Sequence, residues 1–284
     1  MVEGLFKLLQ LFFKRQPHPF NEGEMGKLNY SEFEYKSAEA TFDLYKGYGD
    51  FKKLIKGARV LDVGCGGGGK SVWMTRHGAS SITGLDAEQI FIDQANNFAK
   101  KNKVESRCNF ILGDAAKLPF AVDSFDMIIL NDVMEHVKKP FEVLLEAHRV
   151  LRKGGRVFIN MEPYFHPNGS HMMDVFTMPW NQVFFTEKFR IKMYKKMVAN
   201  LADGNERVRF RISKDENGIE RVGYLNHMTI RRFESLLKNV LNRGFEAMYM
   251  ERRLFSGSLL FFFGHLPFWR EFLTRFLVVV LQKQ

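Results

Sequence analysis

Short apolar runs alternate with amphipathic segments through the first 160 residues of the chain. Apolar runs bounded by Gly, Asp or Asn predict strands, and apolar residues spaced three and four apart predict helices. The predicted strands are ARVLDVG (58–64), SSITGLD (80–86), CNFILGD (108–114), FDMIILND (125–132) and GGRVFIN (154–160). The predicted helices between them include residues 87–102 and 140–153. Since strands alternate with helices of this length, the pattern favours a parallel sheet with helices on both faces.

The alternation stops after Asn160 and resumes near residue 228. Residues 161–225 are rich in Met, Phe, Tyr, His and Trp at first and in charged residues later, and we interpret them as an insertion after the fifth strand. Residues 228–244 have the apolar spacing of an amphipathic helix, and 245–255 predict a sixth strand. The β-branched run in 276–284 favours a final strand over the end of a helix.

The N-terminal segment has an amphipathic pattern of its own. As a helix it places apolar residues on one side, namely Leu5, Leu8, Leu9, Phe12 and Phe13, with Lys7 and Lys14 elsewhere. Two interpretations stay open: a helix lying in a membrane interface, or a helix packed on the domain. The apolar and aromatic segment 256–281 allows the same two interpretations. Lys7 breaks the apolar run that a signal peptide needs, and no run is long enough to span a bilayer.

Composition narrows the class of partner. The 284 residues are enough for one large domain with an insertion, and 45% of them are hydrophobic. Two cysteines make a disulfide framework improbable, so we expect a cytoplasmic protein. The net charge of +10 suits an anionic partner, but the basic residues are interspersed with acidic ones and form no concentrated patch. Nucleic acid is therefore not expected as a partner, and peripheral contact with an anionic membrane stays open.

The segment VLDVGCGGGGKS (60–71) fits three ligand-binding signatures at once. Residues 64–71 fit the phosphate-binding loop G-x-x-x-x-G-K-S, and residues 64–69 fit the dinucleotide pattern G-x-G-x-x-G. Residues 62–68 fit D-x-G-x-G-x-G, the loop that binds S-adenosyl-L-methionine (SAM). The glycine pattern alone therefore does not identify the ligand, and the acidic residues near the loop are needed to distinguish the three signatures.

Three aspartates lie at or near the carboxyl ends of the first three predicted strands, and two of them, Asp62 and Asp114, favour SAM. Asp62 precedes the loop, and a carboxylate about 4 Å from a phosphate charge costs roughly 4 kcal/mol at an effective dielectric near 20. The same carboxylate stabilises a sulfonium or an ammonium group. Asp86, at the end of the second strand, is placed to accept hydrogen bonds from ribose hydroxyls of either NAD or SAM. Asp114, after the third strand, is placed to accept one from an adenine amino group.

The chain resembles the class I SAM-dependent methyltransferases over residues 58–160. The motifs that carry the resemblance, in order, are VLDVGCGGG, GLDAE, GDAAKLPF, FDMIILNDVMEHV and VLRKGGRVFI. The family implies an α/β fold with a doubly wound, mostly parallel seven-stranded sheet, Rossmann-like, with an insertion after strand five. It implies that residues 1–57 form helices capping the cofactor and substrate site. Residues 58–284 would then be the SAM-binding domain, with a substrate lid at about 161–225.

The same resemblance implies a set of cofactor-binding residues. They are Asp62, Gly64, Cys65, Gly66, Asp86, Ala87, Asp114, Ala115 and Asn131. Asp86 would bind the ribose, Asp114 the adenine edge, and Asn131 the methionine end. Lys70 and Ser71 would then lie in the first turn of the helix that follows the loop.

Candidate catalytic groups lie in the insertion. Methyl transfer needs an aligned nucleophile and, for some acceptors, a base that takes its proton. His171 and His166 are the candidate bases. Together with Asp174 they could also bind a metal, but the spacing matches no strong ligand signature and no metal is predicted.

Three residues are expected to contact the acceptor. His136 would lie at the start of the helix after strand four, and Tyr164 and Trp180 would line an apolar pocket together with Phe176 and Phe184. The alternative is that these aromatic residues form the interior of the insertion itself.

The combined prediction is a SAM-dependent methyltransferase acting on a small-molecule or lipid-like acceptor. An RNA methyltransferase is disfavoured, because NDVM rather than an N-P-P-Y tetrapeptide follows strand four. A SAM-binding regulatory protein without catalytic activity is a further alternative. The sequence leaves the acceptor atom and the oligomeric state open.

Overall fold

The computed structural model describes residues 2–14, 30–223, 225–254, 264, 266 and 268–284. The strands within them are β1 (Arg59–Val63), β2 (Ser81–Asp86), β3 (Cys108–Leu112), β4 (Phe125–Asn131), β5 (Leu151–Met161), β6 (Ile212–Lys214), β7 (Glu220–Val222), β8 (Phe245–Leu254) and β9 (Thr274–Lys283). Seven of these form one sheet in the order β3-β2-β1-β4-β5-β9-β8, and β6 pairs with β7. Strands β1 to β5 run parallel, and β9 is antiparallel to β5. The predicted mostly parallel seven-stranded sheet is confirmed.

Helices connect the strands as the apolar spacing predicts. The described helices are α1 (Val2–Leu11), α2 (Tyr30–Phe42), α3 (Phe51–Leu54), α4 (Gly69–Arg76), α5 (Gln89–Lys101), α6 (Pro140–Val150), α7 (Asn181–Phe184), α8 (Glu187–Val198), α9 (Gly204–Arg211), α10 (Ile230–Leu241) and α11 (Arg270–Leu273). In α10 the buried residues include Ile230, Phe233 and Leu237, a spacing that gives the helix one apolar face.

The chain divides into two units. The core unit comprises Tyr30–Met161, Ile230–Arg253 and Phe276–Gln284. The insert unit comprises the described parts of Met1–Asn29, Glu162–Thr229 and Leu254–Arg275. The N-terminal segment 1–57 is thus divided, because α1 belongs to the insert unit whereas α2 and α3 belong to the core unit.

Aromatic packing holds α2 and α3 on the sheet of the core unit. Phe42 and Phe51 are buried, and their rings stack with centroids 4.2 Å apart. Phe51 also packs edge-on against Phe158 of β5, at 5.3 Å between centroids. The same cluster contains Val60 and Met127 of the central strands. Helices α2 and α3 are therefore part of the sheet's own hydrophobic core.

The boundary between α6 and β5 differs from the predicted one. The helix ends at Val150 rather than at 153, and β5 begins at Leu151. The predicted Gly154–Gly155 turn is instead an irregularity within the strand, where Phe125 pairs with Leu151 but Met127 pairs with Arg156. Gly154 has a φ of +73°, which allows the bulged strand to turn locally.

The apolar and aromatic segment 256–281, for which a membrane interface and packing on the fold both stayed open, is in part a buried strand. Leu277 to Leu281 lie in β9 and are fully buried, which favours the packed interpretation for this part. Residues 255–263, His265 and Pro267 lie outside the described residues. None of the helices in the described part of the chain is both long and apolar enough to cross a membrane.

Candidate functional site

A glycine loop follows β1 and leads into α4. Gly64, Gly66 and Gly68 have φ angles of +67°, +52° and +76°, a left-handed conformation that glycine adopts readily. The N–H groups of Gly64 and Cys65 both donate to the carbonyl oxygen of Leu85, at 2.7 and 3.1 Å. The loop is therefore held against the carboxyl end of β2.

Neighbouring side chains leave no room for a Cβ at two positions of the loop. A Cβ on Gly64 would lie 2.6 Å from Cγ2 of Val133, and one on Gly66 would overlap Oε1 of Glu34. The loop thus needs glycine for close packing as well as for its backbone conformation.

Asp86, the last residue of β2, joins three of the sequence motifs. Its Oδ2 accepts a hydrogen bond from the N–H of Gly66 at 2.9 Å, and its Oδ1 accepts one from the N–H of Glu88 at 3.1 Å. Its backbone carbonyl accepts a hydrogen bond from the N–H of Gly113 at 2.9 Å. Burial raises the pKa of Asp86, and the backbone donors oppose that rise. The acid predicted to bind ribose therefore lies where the segments after β1, β2 and β3 meet.

Asp62 is buried within β1, two residues before the loop. Its Oδ2 accepts a hydrogen bond from Oγ of Ser71 at 2.5 Å. Burial raises the pKa of Asp62 to about 6, a rise that Ser71 and Lys70 oppose and Asp86 reinforces. Its carboxylate is therefore mainly ionised at neutral pH and would stabilise a cation bound near the loop. Lys70 and Ser71 lie in the first turn of α4, as predicted.

Glu34 on α2 is an acid of this site that the sequence analysis missed. It is buried, and its Oε2 accepts a hydrogen bond from the N–H of Gly69 at 3.1 Å. Burial raises its pKa to about 8; Lys70 and the Gly69 N–H oppose that rise, whereas Asp62 and Asp86 reinforce it. The only signal in the sequence is a Glu on the face of α2 that also carries the buried Ser31, Ala38 and Phe42.

Two asparagines are paired across the carboxyl ends of β4 and β5. Asn131 and Asn160 are in register and buried. Oδ1 of Asn131 accepts a hydrogen bond from the hydroxyl of Tyr45, and Oδ1 of Asn160 accepts one from the N–H of Asp132, both at 2.9 Å. Within the described residues neither Nδ2 has a hydrogen-bond partner. A buried donor left unpaired costs about 1–3 kcal/mol, so this pair fits an oxygen atom of a ligand.

The predicted adenine-binding segment follows β3. Asp114 is exposed, and its Oδ1 accepts a hydrogen bond from the N–H of Ala116 at 2.9 Å. Ala115 beside it is buried, whereas Ala87 after β2 is exposed. The turn fixes the direction of the Asp114 carboxylate while leaving it accessible.

The segment after β4 is a series of turns rather than the predicted start of a helix. The N–H of His136 donates to the carbonyl oxygen of Val133 at 2.8 Å, and α6 begins only at Pro140. Proline is favoured in the first turn of a helix, where its missing N–H has no helical partner. Asp132 has a φ of +54°, and its carboxylate lies 3.8 Å from Nζ of Lys70.

The two candidate bases in the insert unit differ in their surroundings. His166 is buried, and its Nδ1 accepts a hydrogen bond from the N–H of Asn168 at 3.1 Å. Burial lowers the pKa of His166 to about 3, so its imidazole is a weak base. His171 is half-buried and has a φ of +51°. Both catalytic assignments remain predictions.

The predicted substrate-binding aromatics lie in contrasting environments within the insert unit. Tyr164 is half-buried, and its hydroxyl accepts a hydrogen bond from Arg190 at 3.4 Å. Nε1 of Trp180 donates to the carbonyl oxygen of Phe272 at 3.3 Å. Phe176 is buried in the hydrophobic cluster of this unit, so it packs in the interior rather than lining a pocket. Phe184, by contrast, is 66% exposed.

Asp174 has charged partners other than a metal. It is buried, with Arg207 at 3.4 Å and Arg211 at 3.3 Å. It also accepts a hydrogen bond from the hydroxyl of Tyr194 at 2.8 Å. The carboxylate of Asp174 is thus held by Arg207, Arg211 and Tyr194 within the insert unit.

Residues 61–159 match the methyltransferase-domain family. Over 103 residues the chain is 38% identical to the methyltransferase GfsG of Streptomyces halstedii, covering 36% of this chain and 37% of that protein. Residues 61–159 therefore carry a methyltransferase domain, in agreement with the predicted resemblance to the class I SAM-dependent methyltransferases. Over another 103-residue alignment it is 35% identical to the sterol 24-C-methyltransferase of Debaryomyces hansenii, covering 36% of this chain and 27% of that protein. The chain spans less than half the length of the curated relatives that it matches first.

The fold of the methyltransferase domain recurs in solved structures. The chain is similar to the crystal structure of a SAM-dependent methyltransferase from Mesorhizobium loti, with a TM-score of 0.50 and 17% identity. The similarity covers 81% of this chain and 92% of that chain. At this identity the comparison bears on the fold alone.

The residues of the methyltransferase domain fit SAM, the cofactor of this family, as predicted. The glycine loop has no room for side chains, and the buried or half-buried carboxyls around it are Glu34, Asp62 and Asp86. An acidic set of this kind suits the sulfonium and ammonium groups of SAM and disfavours a triphosphate. The orphaned amides of Asn131 and Asn160 add donors for a ligand oxygen.

Proposed function

We propose that this protein transfers the methyl group of SAM to a small-molecule acceptor. The observation that carries the proposal is the convergence of Asp62, Asp86 and the glycine loop at the carboxyl edge of a parallel sheet, where ligands bind in open α/β folds. When bound, SAM supplies a methyl group on a positively charged sulfur. One relative is named for a sterol, which supports a small-molecule acceptor rather than a macromolecule.

The chain's own residues would bind and orient both reactants. Asp86 would accept hydrogen bonds from the ribose hydroxyls, and Asp114 would accept one from the adenine amino group. The Nδ2 groups of Asn131 and Asn160 would each donate to a ligand oxygen at the ends of β4 and β5. A protein catalyses methyl transfer mainly by holding SAM and the acceptor in line with each other.

We assign the proton-accepting role, for acceptors that need one, to His171. An acceptor oxygen or nitrogen loses a proton as the bond to the methyl carbon forms, and an imidazole side chain is suited to take it. His166 is less suited, because burial lowers its pKa to about 3. The half-buried His171 keeps contact with solvent, to which the proton can pass.

We further propose that the acceptor is lipid-like and is reached at a membrane surface. The support is α1, one side of which exposes apolar residues to solvent: Val2, Leu5 and Leu8 are each more than half exposed. Leu11 and Phe12 are 81% and 73% exposed. A stripe of this kind on one helix is typical of contact with lipid or with another apolar partner.

The opposite side of α1 holds it on the insert unit. The ring of Phe6 is fully buried and packs edge-on against Phe176, with centroids 5.0 Å apart. Oε1 of Gln10 accepts hydrogen bonds from the N–H groups of Thr177 and Met178, at 2.5 and 3.2 Å. The two sequence interpretations of this helix are therefore compatible, because packing uses Phe6 and Gln10 and leaves the leucine side outward.

Charge favours lipid over a second protein copy as the occupant of this side. The chain has a net charge of +10, and Lys7 and Lys14 on and after α1 are exposed. Two equally basic copies repel each other, whereas an anionic leaflet attracts basic residues near its surface. The membrane proposal therefore predicts stronger binding to anionic than to neutral vesicles.

A transfer assay tests the proposed activity. The protein is incubated with SAM carrying a labelled methyl group and with a cell extract separated into organic-soluble, aqueous small-molecule and RNA fractions. Label in the organic-soluble fraction supports a lipid-like acceptor. Label in the aqueous fraction supports methyl transfer to a small molecule but not a lipid-like acceptor. Label confined to RNA, or tight SAM binding with no transfer to any fraction, contradicts the proposal. Asp86→Asn should abolish the transfer, and Asp123→Asn, at an exposed carboxylate bonded to Lys283, is the matched control.

A further inference from the structure

Helix α2 places a carboxyl group directly against the glycine loop. Oε2 of Glu34 accepts a hydrogen bond from the N–H of Gly69, the first residue of α4, at 3.1 Å. Its Oε1 occupies the space that a Cβ on Gly66 would need. Glu34 thus contacts the loop at Gly66 and at Gly69, and it is 5% exposed.

The charged groups that face Glu34 are mostly acidic. Asp62 of β1 and Asp86 of β2 both disfavour its ionised form, and Lys70 of α4 is the cation that favours it. The thiol of Cys65 is the other titratable group of the loop, and the pKa of that thiol is raised by burial and by the three acids. Burial is the largest influence on Glu34 and raises its pKa to about 8, so its carboxyl is mainly protonated at neutral pH.

We propose that Glu34 is a third acidic residue of the SAM site and that its carboxylate selects the positively charged cofactor over its uncharged product, S-adenosylhomocysteine. This role rests on the binding of SAM at the glycine loop. In the transfer, the bond between sulfur and the methyl carbon breaks and its electron pair stays on sulfur. The acceptor forms the new bond to that carbon and loses a proton. The ligand therefore loses its sulfonium charge, and with it the attraction to Glu34.

Binding and protonation are then linked. A cation beside Glu34 stabilises the carboxylate and lowers its pKa, so SAM binding releases a proton from this residue at neutral pH. The uncharged sulfur of the product gives no such stabilisation. The preference for SAM over the product therefore increases as the pH rises towards the pKa of Glu34 in the ligand-free protein.

Isothermal titration with SAM and with S-adenosylhomocysteine tests this role. Both ligands are titrated between about pH 6.5 and pH 9 in buffers of different ionisation enthalpy, which reports proton release. The proteins are the wild type, Glu34→Gln and the control Glu32→Gln, which removes an exposed carboxylate of the same helix that pairs with Lys101. The preference for SAM should rise about tenfold over this range in the wild type and in the control, relative to Glu34→Gln, if SAM binding lowers the pKa of Glu34 by about one unit. Comparing proteins at each pH cancels the titration of the ligands' own amino groups.

Two results would overturn this role. One is a wild type that releases the same number of protons with both ligands, a measurement that needs no variant to fold. The other is a Glu34→Gln variant that retains the wild-type change in preference with pH. A wild type that binds neither ligand would overturn the cofactor site itself, and that result is distinguishable from the first two.

Discussion

The hydroxyl of Tyr45 donates a hydrogen bond of 2.9 Å to Oδ1 of Asn131, 86 residues further along the chain. Both residues are buried, and Asn131 ends β4. The bond joins the segment after α2 to the carboxyl edge of the sheet. It also directs Nδ2 of Asn131 away from Tyr45, so the phenol decides which atom of the amide remains for a ligand.

Tyr45→Phe should destabilise the protein and weaken SAM binding. The change leaves a buried amide oxygen without its donor, so the free energy of unfolding should fall by about 1–2 kcal/mol in urea denaturation. Tyr48→Phe is the control, because Tyr48 packs against the same Phe158 ring. Equal losses of unfolding free energy and of SAM affinity in the two variants would mean that the hydrogen bond to Asn131 contributes to neither.

Gly66→Ala should cost more than Gly57→Ala. Both glycines have a positive φ, +52° and +72°, so both substitutions carry a similar backbone penalty. Only the alanine at 66 meets a neighbour, since a Cβ there overlaps Oε1 of Glu34 whereas one at 57 has open space. The Gly66 variant should therefore lose more stability, and SAM affinity should fall only in that variant. Indistinguishable thermal unfolding and SAM titrations of the two variants would show that the close approach of Glu34 to Gly66 affects neither stability nor SAM binding.

Glu34 should make the ligand-free protein less stable as the pH rises. Its pKa is about 8 in the folded protein against an ordinary value of 4.5, so folding favours the protonated form. That stabilisation is full below the unfolded pKa and is lost as the pH rises through about 8. The stability of the wild type relative to Glu34→Gln should therefore fall between about pH 5 and pH 8 in urea denaturation. A constant difference over this range would contradict the buried, protonated state.

His171→Ala should lower the rate of methyl transfer while leaving SAM affinity unchanged. His166→Ala should instead lower stability, because it removes a buried ring that accepts a hydrogen bond from the N–H of Asn168. The two variants lie in the same segment and separate a catalytic effect from a structural one. Full activity of the His171 variant in the labelled-methyl assay would exclude it as the base.

Leu5→Gln/Leu8→Gln should reduce co-sedimentation with anionic vesicles without changing stability. Both leucines are 52% exposed, so their replacement removes apolar surface that the fold does not use. Ile90→Gln/Val122→Gln is the control, because these residues are 61% and 60% exposed in the core unit. Equal binding by both double variants and the wild type would place the membrane surface elsewhere or exclude it. A concentration-dependent dimer that the leucine variant abolishes would point to a second copy as the occupant.

The parts of the site that lie next to strand ends could be predicted from the sequence. Asp62, Asp86 and Asp114 each follow or end an apolar run, and the parallel sheet brings such ends to one edge. The glycine positions were also predictable, because a left-handed turn requires that residue type. The turns around His136 could not be predicted, and a helix start was expected there instead. A polar segment after a strand has the same sequence pattern whether it forms turns or the first turn of a helix.

Glu34, Tyr45 and Asn160 entered the site only through the tertiary structure. Glu34 and Tyr45 lie before the first strand, in helical segments that carry no motif, and nothing local distinguishes a buried carboxyl from a solvated one. Asn160 lies inside the motif region, but its role depends on the register that sets it beside Asn131.

The order of apolar runs, glycines and acids along this chain determined the sheet, the cofactor class and the position of the glycine loop at the carboxyl edge of the sheet. Those features depend on backbone periodicity and on residues close in sequence. The tertiary structure decided the charge state of the site and the outward side of α1. Both depend on burial, and burial is set by which distant segments pack together: α2 on the glycine loop, and Phe6 rather than the leucines against the insert unit.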